Sequence, residues 1–167
     1  MRWFYFLVVG LVCCGQIACS TLDVAGSAPI IEKQLTAQKT LNINDLSTKA
    51  KQGDYASTLE LARRYAEGDG INQNGETALN LYQAVAKTRS DYAIIAQTRI
   101  GRLYLEGATP IKQNIIEAYL WFDLVITNHG KDAQVDNERV LRYHNFARLN
   151  MTDAERVELQ NRQVQSP

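Results

Sequence analysis

The chain has 167 residues, enough for one ordinary domain and little else. Eighteen Lys and Arg balance eighteen Asp and Glu, so no net positive charge argues for nucleic acid as a partner. All three cysteines fall within the first 19 residues, which leaves the body without a disulfide pair or a thiolate ligand. Leu, Ala, Glu, Gln and Arg are common through the body, a composition that favours helix.

Met1 and Arg2 give a short positive start, and Trp3 to Cys14 is a 12-residue apolar run. Smaller residues follow up to Cys19. This is the three-part layout of a secretory signal peptide over residues 1–18, and the apolar run is shorter than the ~20 residues of a membrane span. The alternatives are a buried first helix or an N-terminal membrane anchor. Ile17-Ala18-Cys19 resembles the end of a bacterial lipobox, although Gln16 stands where Leu is usual. The resemblance implies cleavage before Cys19 and lipidation of its thiol. It also implies that Ser20 directs the protein to the outer membrane, facing the periplasm. Cleavage near Ala18 by ordinary signal peptidase would instead release a soluble periplasmic protein.

Residues 19–42 are polar and mixed, with Gly26, Ser27 and Pro29, and predict a flexible tether with room for a short helix at 31–38. Helical signals then run to the end of the chain. Asp45 is placed to cap a helix ending at Gly53. Tyr55 to Glu67 predicts another, stopped by Gly68. Asn74 caps a helix to about Lys87, and Asp91 to Glu106 is closed by Gly107. Asn114 with Glu117 resembles a capping box for a helix to about Thr127. Ala133 to Leu149 predicts a seventh helix, and Thr152 with Glu155 opens a last one to about Arg162. Nothing reads as a strand.

The chain repeats itself. Residues 57–68 align with 96–107 at a period of 39, and 71–87 align with 111–127 at a period of 40. Nine of these 29 positions are identical, and the substitutions elsewhere keep an apolar stripe: Ala78, Leu81, Tyr82 and Val85 recur as Ala118, Trp121, Phe122 and Val125. That i, i+3, i+4, i+7 spacing is one helical face. In the preceding helix, small Ala62 or Gly101 admits a close neighbour, and Tyr65 or Tyr104 covers the seam. A hairpin of this kind cannot bury its face alone, so units must stack. A chance pseudo-repeat in an ordinary helical bundle is the alternative.

The pattern Ala96-x-x-x-Ile100-Gly101-x-x-Tyr104-x-x-Gly107, a loop, then Asn114-x-x-x-Ala118-x-x-Trp121-Phe122 resembles the Sel1-like repeat, a tetratricopeptide-related unit. Residues 57–82 match less closely, with Ala62 for Gly and Leu81 for Trp. The resemblance implies an all-α fold, a short right-handed α-solenoid of helix-turn-helix Sel1-like repeats over 43–165.

No catalytic constellation stands out. The two histidines, His129 and His144, sit in no metal-binding or nucleophile motif, and Gly68-Asp69-Gly70 lacks the acids of a calcium loop. No cofactor and no metal is expected. Some Sel1-like proteins are cysteine-rich and linked to penicillin binding, but that disulfide pattern is missing from this chain. Arg63 and Arg102 occupy equivalent positions, and Arg148 follows Ala147 as Arg102 follows Gly101. These three predict an arginine column on the first-helix face, suited to carboxylate or aromatic partners. Solvated side chains or pairs with Glu60 and Glu106 are the alternative. Charge reversal at Arg63 and Arg102 is expected to leave the fold intact. The functional expectation is a scaffold or adaptor, not an enzyme, whose partners are other envelope proteins and, through the lipid, the membrane. A small inhibitor of one envelope partner and a cell-wall-acting enzyme are the rivals.

Overall fold

Local chemistry starts and stops each helix. Asn74 and Asn114 sit just ahead of α4 (Gly75–Ala86) and α6 (Ile115–His129), and their side chains accept from the amides of Thr77 and Glu117 at 2.9 and 3.0 Å. α3 (Tyr55–Glu67) is capped by Asp54, which accepts from the Ala56 amide at 3.1 Å. Gly68, just after α3, has φ +74° and Gly107, just after α5 (Tyr92–Glu106), has φ +75°, so each turn is made where a side chain would be strained.

The computed structural model describes residues 28–129 and 137–165. The expected signal peptide, Cys19 and the first residues of the helix predicted from Ala133 lie outside them. Eight helices make up the described residues, the remaining four being α1 (Ala28–Gln38), α2 (Ile43–Lys51), α7 (Asn137–Asn150) and α8 (Asp153–Gln165). From α2 to α7 each helix packs on the next. Contacts that skip a helix join α1 to α3, α3 to α5 and α5 to α7, with no comparable pairs among the even-numbered helices. The odd-numbered row is therefore the tighter one, which puts the first helix of each unit on the inside of an all-α solenoid.

The two central hairpins share one set of bonds. The amides of Asn74 and Asn114 donate to the carbonyls of Tyr65 and Tyr104, both at 2.8 Å. The Gln73 and Gln113 side chains cover the carbonyls of Ala66 and Leu105 at 2.9 and 2.6 Å. Helix C-termini leave such carbonyls without intrahelical partners, and the glutamines supply them. Two core clusters result. The first joins Leu59, Ala62, Ala78, Tyr82 and Val85 to Ala96 and Ile100 of the next unit. The second joins Ile94, Leu105, Ala118, Phe122 and Val125 to Val140 and Ala147.

Three sequence expectations need correction. Helix α1 lies inside the segment read as a tether and is docked: Leu35 packs on the first core, and the Ser57 hydroxyl donates to Gln38 Oε1 at 3.0 Å. Partners so distant in sequence leave no local pattern. Helix α2 is capped by Asn42, whose Oδ1 accepts from the Asp45 amide at 2.9 Å, so Asp45 is the first-turn acid and not the cap. Thr152 and Glu155 do form a reciprocal box, with Thr152 N to Glu155 Oε2 at 2.7 Å and Glu155 N to Thr152 Oγ1 at 3.3 Å. At Asn114 only half the box exists, because Glu117 instead accepts from Arg162 at 2.7 Å.

Candidate functional site: a groove between α3 and α5

Arg63 on α3 and Arg102 on α5 meet at one depression of about 100 Å³, lined also by Glu67, Tyr82, Arg99 and Glu106. Repeat geometry brings them there, since residues 39 apart fall at the same point on adjacent inner helices. Arg148 does not join them. It is exposed on α7 and acts electrostatically on Tyr119 of α6, whereas Arg102 stacks its guanidinium over Tyr143, 5.9 Å from the ring centroid. The supposed equivalence of Ala147 and Gly101 fails in the structure. Gly101 faces Phe122 of its own unit, while Ala147 packs into the core of the unit before it.

The two arginines differ in their surroundings. Arg63 grips Glu60 with two bonds of 3.0 and 2.7 Å, reaches Asp69 at 2.6 Å and also pairs with Glu67. Glu60 is only 2% exposed, and Arg64 adds a second guanidinium to it at 3.2 Å. Burial pushes the Glu60 carboxyl upward, but the two arginines outweigh it and hold it below the usual carboxylate range. Hydrogen bonding to Glu60 raises Arg63 well above the usual arginine value, against the opposing effect of burial. Arg63 is thus part of the scaffold.

Arg102 has one carboxylate partner, Glu106 at 2.9 Å, and its side chain is 40% exposed. Where α3 has Glu60, α5 has Arg99, which donates to the Leu59 carbonyl at 2.9 Å and faces the buried Tyr82 hydroxyl. Burial raises Tyr82, and Arg99 works against that rise. The α5 side of the groove therefore carries two cations against Glu106, while on the α3 side Arg63 is matched by Glu60, Glu67 and Asp69. Arg99 and Tyr143 were not singled out by sequence. The exchange of Glu60 for Arg99 at the 39-residue spacing was the available signal.

His144 is packed, with its ring 4.5 Å from Tyr119 and Nε2 3.4 Å from Asp123 Oδ1. Among the described residues no group of His, Cys, Asp and Glu could hold a metal ion, and no helix is long and apolar enough to cross a membrane.

The Sel1 repeat family model matches residues 56–87 and 94–124, the α3–α4 and α5–α6 hairpins. These are two Sel1-like repeats. A solved structure of a protective antigen of uropathogenic Escherichia coli, described as displaying an SLR fold, matches 81% of this chain at 17% identity with a TM-score of 0.57. The match spans 29% of that longer chain. A Sel1 repeat protein from Oxalobacter formigenes matches 70% of this chain and 96% of its own at 22% identity, with a TM-score of 0.37. No curated protein matches the sequence. The fold is that of a Sel1-like α-solenoid, and proteins with such repeats generally mediate protein–protein interaction.

Proposed function

We propose that this chain is a protein-binding module of the bacterial envelope, an adaptor or assembly factor held at the outer membrane through lipid on Cys19 and carrying no catalytic activity. The observation behind the binding surface is the groove side formed by Arg99, Arg102 and Tyr143. The two α5 guanidiniums there have one paired carboxylate, Glu106, with Glu67 across the groove and an aromatic ring beside Arg102, on the inner row of a solenoid. Guanidinium in that setting accepts a carboxylate by paired hydrogen bonds or an aromatic side chain by stacking. A partner segment bearing an acidic or aromatic residue fits it. The envelope location rests on the Ile17-Ala18-Cys19 sequence and on Ser20.

The test is recovery of cross-linked envelope partners with wild type and Arg102→Glu. Arg102 is half-exposed and held by a surface pair, so the reversal is expected to shift stability by no more than about 0.5 kcal/mol. Loss of a partner with unchanged melting supports the groove, and equal recovery of every partner rejects it. Cys19→Ser is expected to abolish lipid labelling and move the protein into the soluble periplasm. A wild-type protein that is already soluble and unlabelled would reject the anchor.

A further inference from the structure

The first repeat supplies its own carboxylate to the arginine at the groove. Glu60 accepts from Arg63 at 2.7 Å and from Arg64 at 3.2 Å. At the 39-residue spacing these three positions become Arg99, Arg102 and Leu103. A cation therefore stands where the first repeat has its buried anion.

Arg99 is half-buried and lines the groove. A guanidinium has five N–H donors. The Leu59 carbonyl takes one of them at 2.9 Å and the Tyr82 hydroxyl faces the group, both neutral oxygens. Among the described residues no carboxylate pairs with Arg99. A charge withdrawn from water costs free energy unless an opposite charge meets it. Arg102, three residues on, projects from the same side of α5. Its bond to Glu106 joins side chains that are 40% and 56% exposed, and exposed pairs of this kind are weak.

We infer that the groove takes a single carboxylate, the side chain of an acidic residue within a partner's chain, and that Glu106 is an internal competitor which this carboxylate displaces from Arg102. Arg99 and Arg102 then hold the incoming group together, as Arg63 and Arg64 hold Glu60. The inference rests on the proposed binding role of the groove and names what enters it. Size argues against an aromatic ring: the depression is about 100 Å³, below the roughly 150 Å³ of a cavity that holds benzene. Charge argues against a phosphate or a run of acids, because Glu67 and Glu106 line the same depression and repel a second negative charge. Those two carboxylates accept backbone N–H groups. A residue within a chain offers one on each side, whereas a C-terminal residue offers one only.

The experiment titrates the full chain, isotope-labelled on its arginine nitrogens and held in detergent, with a peptide capped at both ends. The peptide carries one glutamate among serines and glycines, and its twin carries glutamine instead. The glutamate peptide is expected to shift the Nε–H signals of Arg99 and Arg102 together, and the glutamine peptide neither. Glu106→Gln is expected to tighten binding roughly two- to fivefold, the loss of one exposed competitor. Arg99→Gln is expected to weaken it at least about tenfold, the loss of a charge-assisted contact. Damage to the fold cannot tighten binding, so Glu106→Gln tests the site apart from stability. No shift at any concentration, an equal response to the glutamine peptide, or unchanged affinity in Glu106→Gln would each overturn the inference. If the peptide fails while Arg102→Glu still loses a partner, the inference alone falls and the groove remains a binding surface.

Discussion

The two Sel1-like repeats share one backbone and differ where their neighbours differ. Gly75 opens α4, and a Cβ there would lie 2.2 Å from the Ala108 carbonyl oxygen. The turn of the second repeat lands on it, with the Gly75 amide donating to Thr109 O at 2.7 Å. Forty residues on, the same helix position is Ile115, and it is only partly buried. The α3–α4 repeat uses alanine at 62 and leucine at 81, while the α5–α6 repeat uses Gly101 and Trp121. Trp121 and Leu81 both pack onto the first core, but Leu81 also lines a largely apolar cavity of about 310 Å³ with Ala50, Tyr55 and Leu61. Equivalent positions in a solenoid answer to what stacks on them, so a repeat consensus describes the hairpin and not its place in the row.

That contrast can be broken at Gly75. Gly75→Ala drives a methyl into backbone that cannot retreat without losing the Thr109 bond, and should cost about 3 kcal/mol or more, near the upper end for overpacking. Ile115→Gly, which removes the asymmetry, should cost less than the deletion of a fully buried isoleucine. Chemical denaturation measures both, and equal effects would show that the Ala108–Thr109 turn does not seat on α4.

The next effect in size concerns the helix seam. Gly101→Ala places a carbon 2.6 Å from the Phe122 ring, so a loss of about 1–3 kcal/mol is expected. Ala62→Gly in the first repeat should cost about 1 kcal/mol, chiefly backbone entropy in mid-helix. A thermal melt indifferent to Gly101→Ala would place Phe122 elsewhere.

The arginines sharpen the comparison further. Arg63→Glu leaves buried Glu60 facing a like charge and should destabilise by about 1–2 kcal/mol, with Arg64 still in place, while Arg102→Glu should be nearly silent. This replaces the expectation from sequence that reversal at both positions spares the fold. The Glu60 carboxyl is held below its unfolded value, so its stabilisation is present above the ordinary carboxylate range. It is lost as pH falls through the lowered folded value. Glu60→Gln should flatten that acid limb in a pH series of melting temperatures. An unchanged limb would assign acid sensitivity to other carboxylates.

The smallest effect is expected at the cavity. Leu81→Trp, which copies Trp121 into the first repeat, should raise stability by up to about 1 kcal/mol, in the range of a filled void. A loss would mean that the space beside Ala50 is too shallow for an indole.

Helices and repeats were legible because their determinants are local. Asn74, Asn114, Thr152, Gly68 and Gly107 act within four residues of themselves, and the apolar stripe of α4 and α6 is periodic. The docking of α1 was not legible, since Leu35 and Gln38 gain meaning only against α3, 19 residues beyond Gln38 at Ser57. The meeting of Arg63 with Arg102 followed from the repeat period. Their inequality did not, because Glu60 looks like any surface glutamate until its burial is seen. That Arg148 lies away from the groove was not legible for a related reason: a dipeptide match in a degenerate unit does not fix which way a helix turns its faces.

Docked α1 also sets a working radius. With the anchor proposed at Cys19, only the nine chain steps to Ala28 are left to span the gap between membrane and solenoid, at most about 30 Å. Had the segment to Asn42 been free as well, the reach would exceed twice that. Under that proposed anchoring, a protein on so short a leash would patrol one thin layer above its bilayer, and whatever it gripped would have to come down to that height.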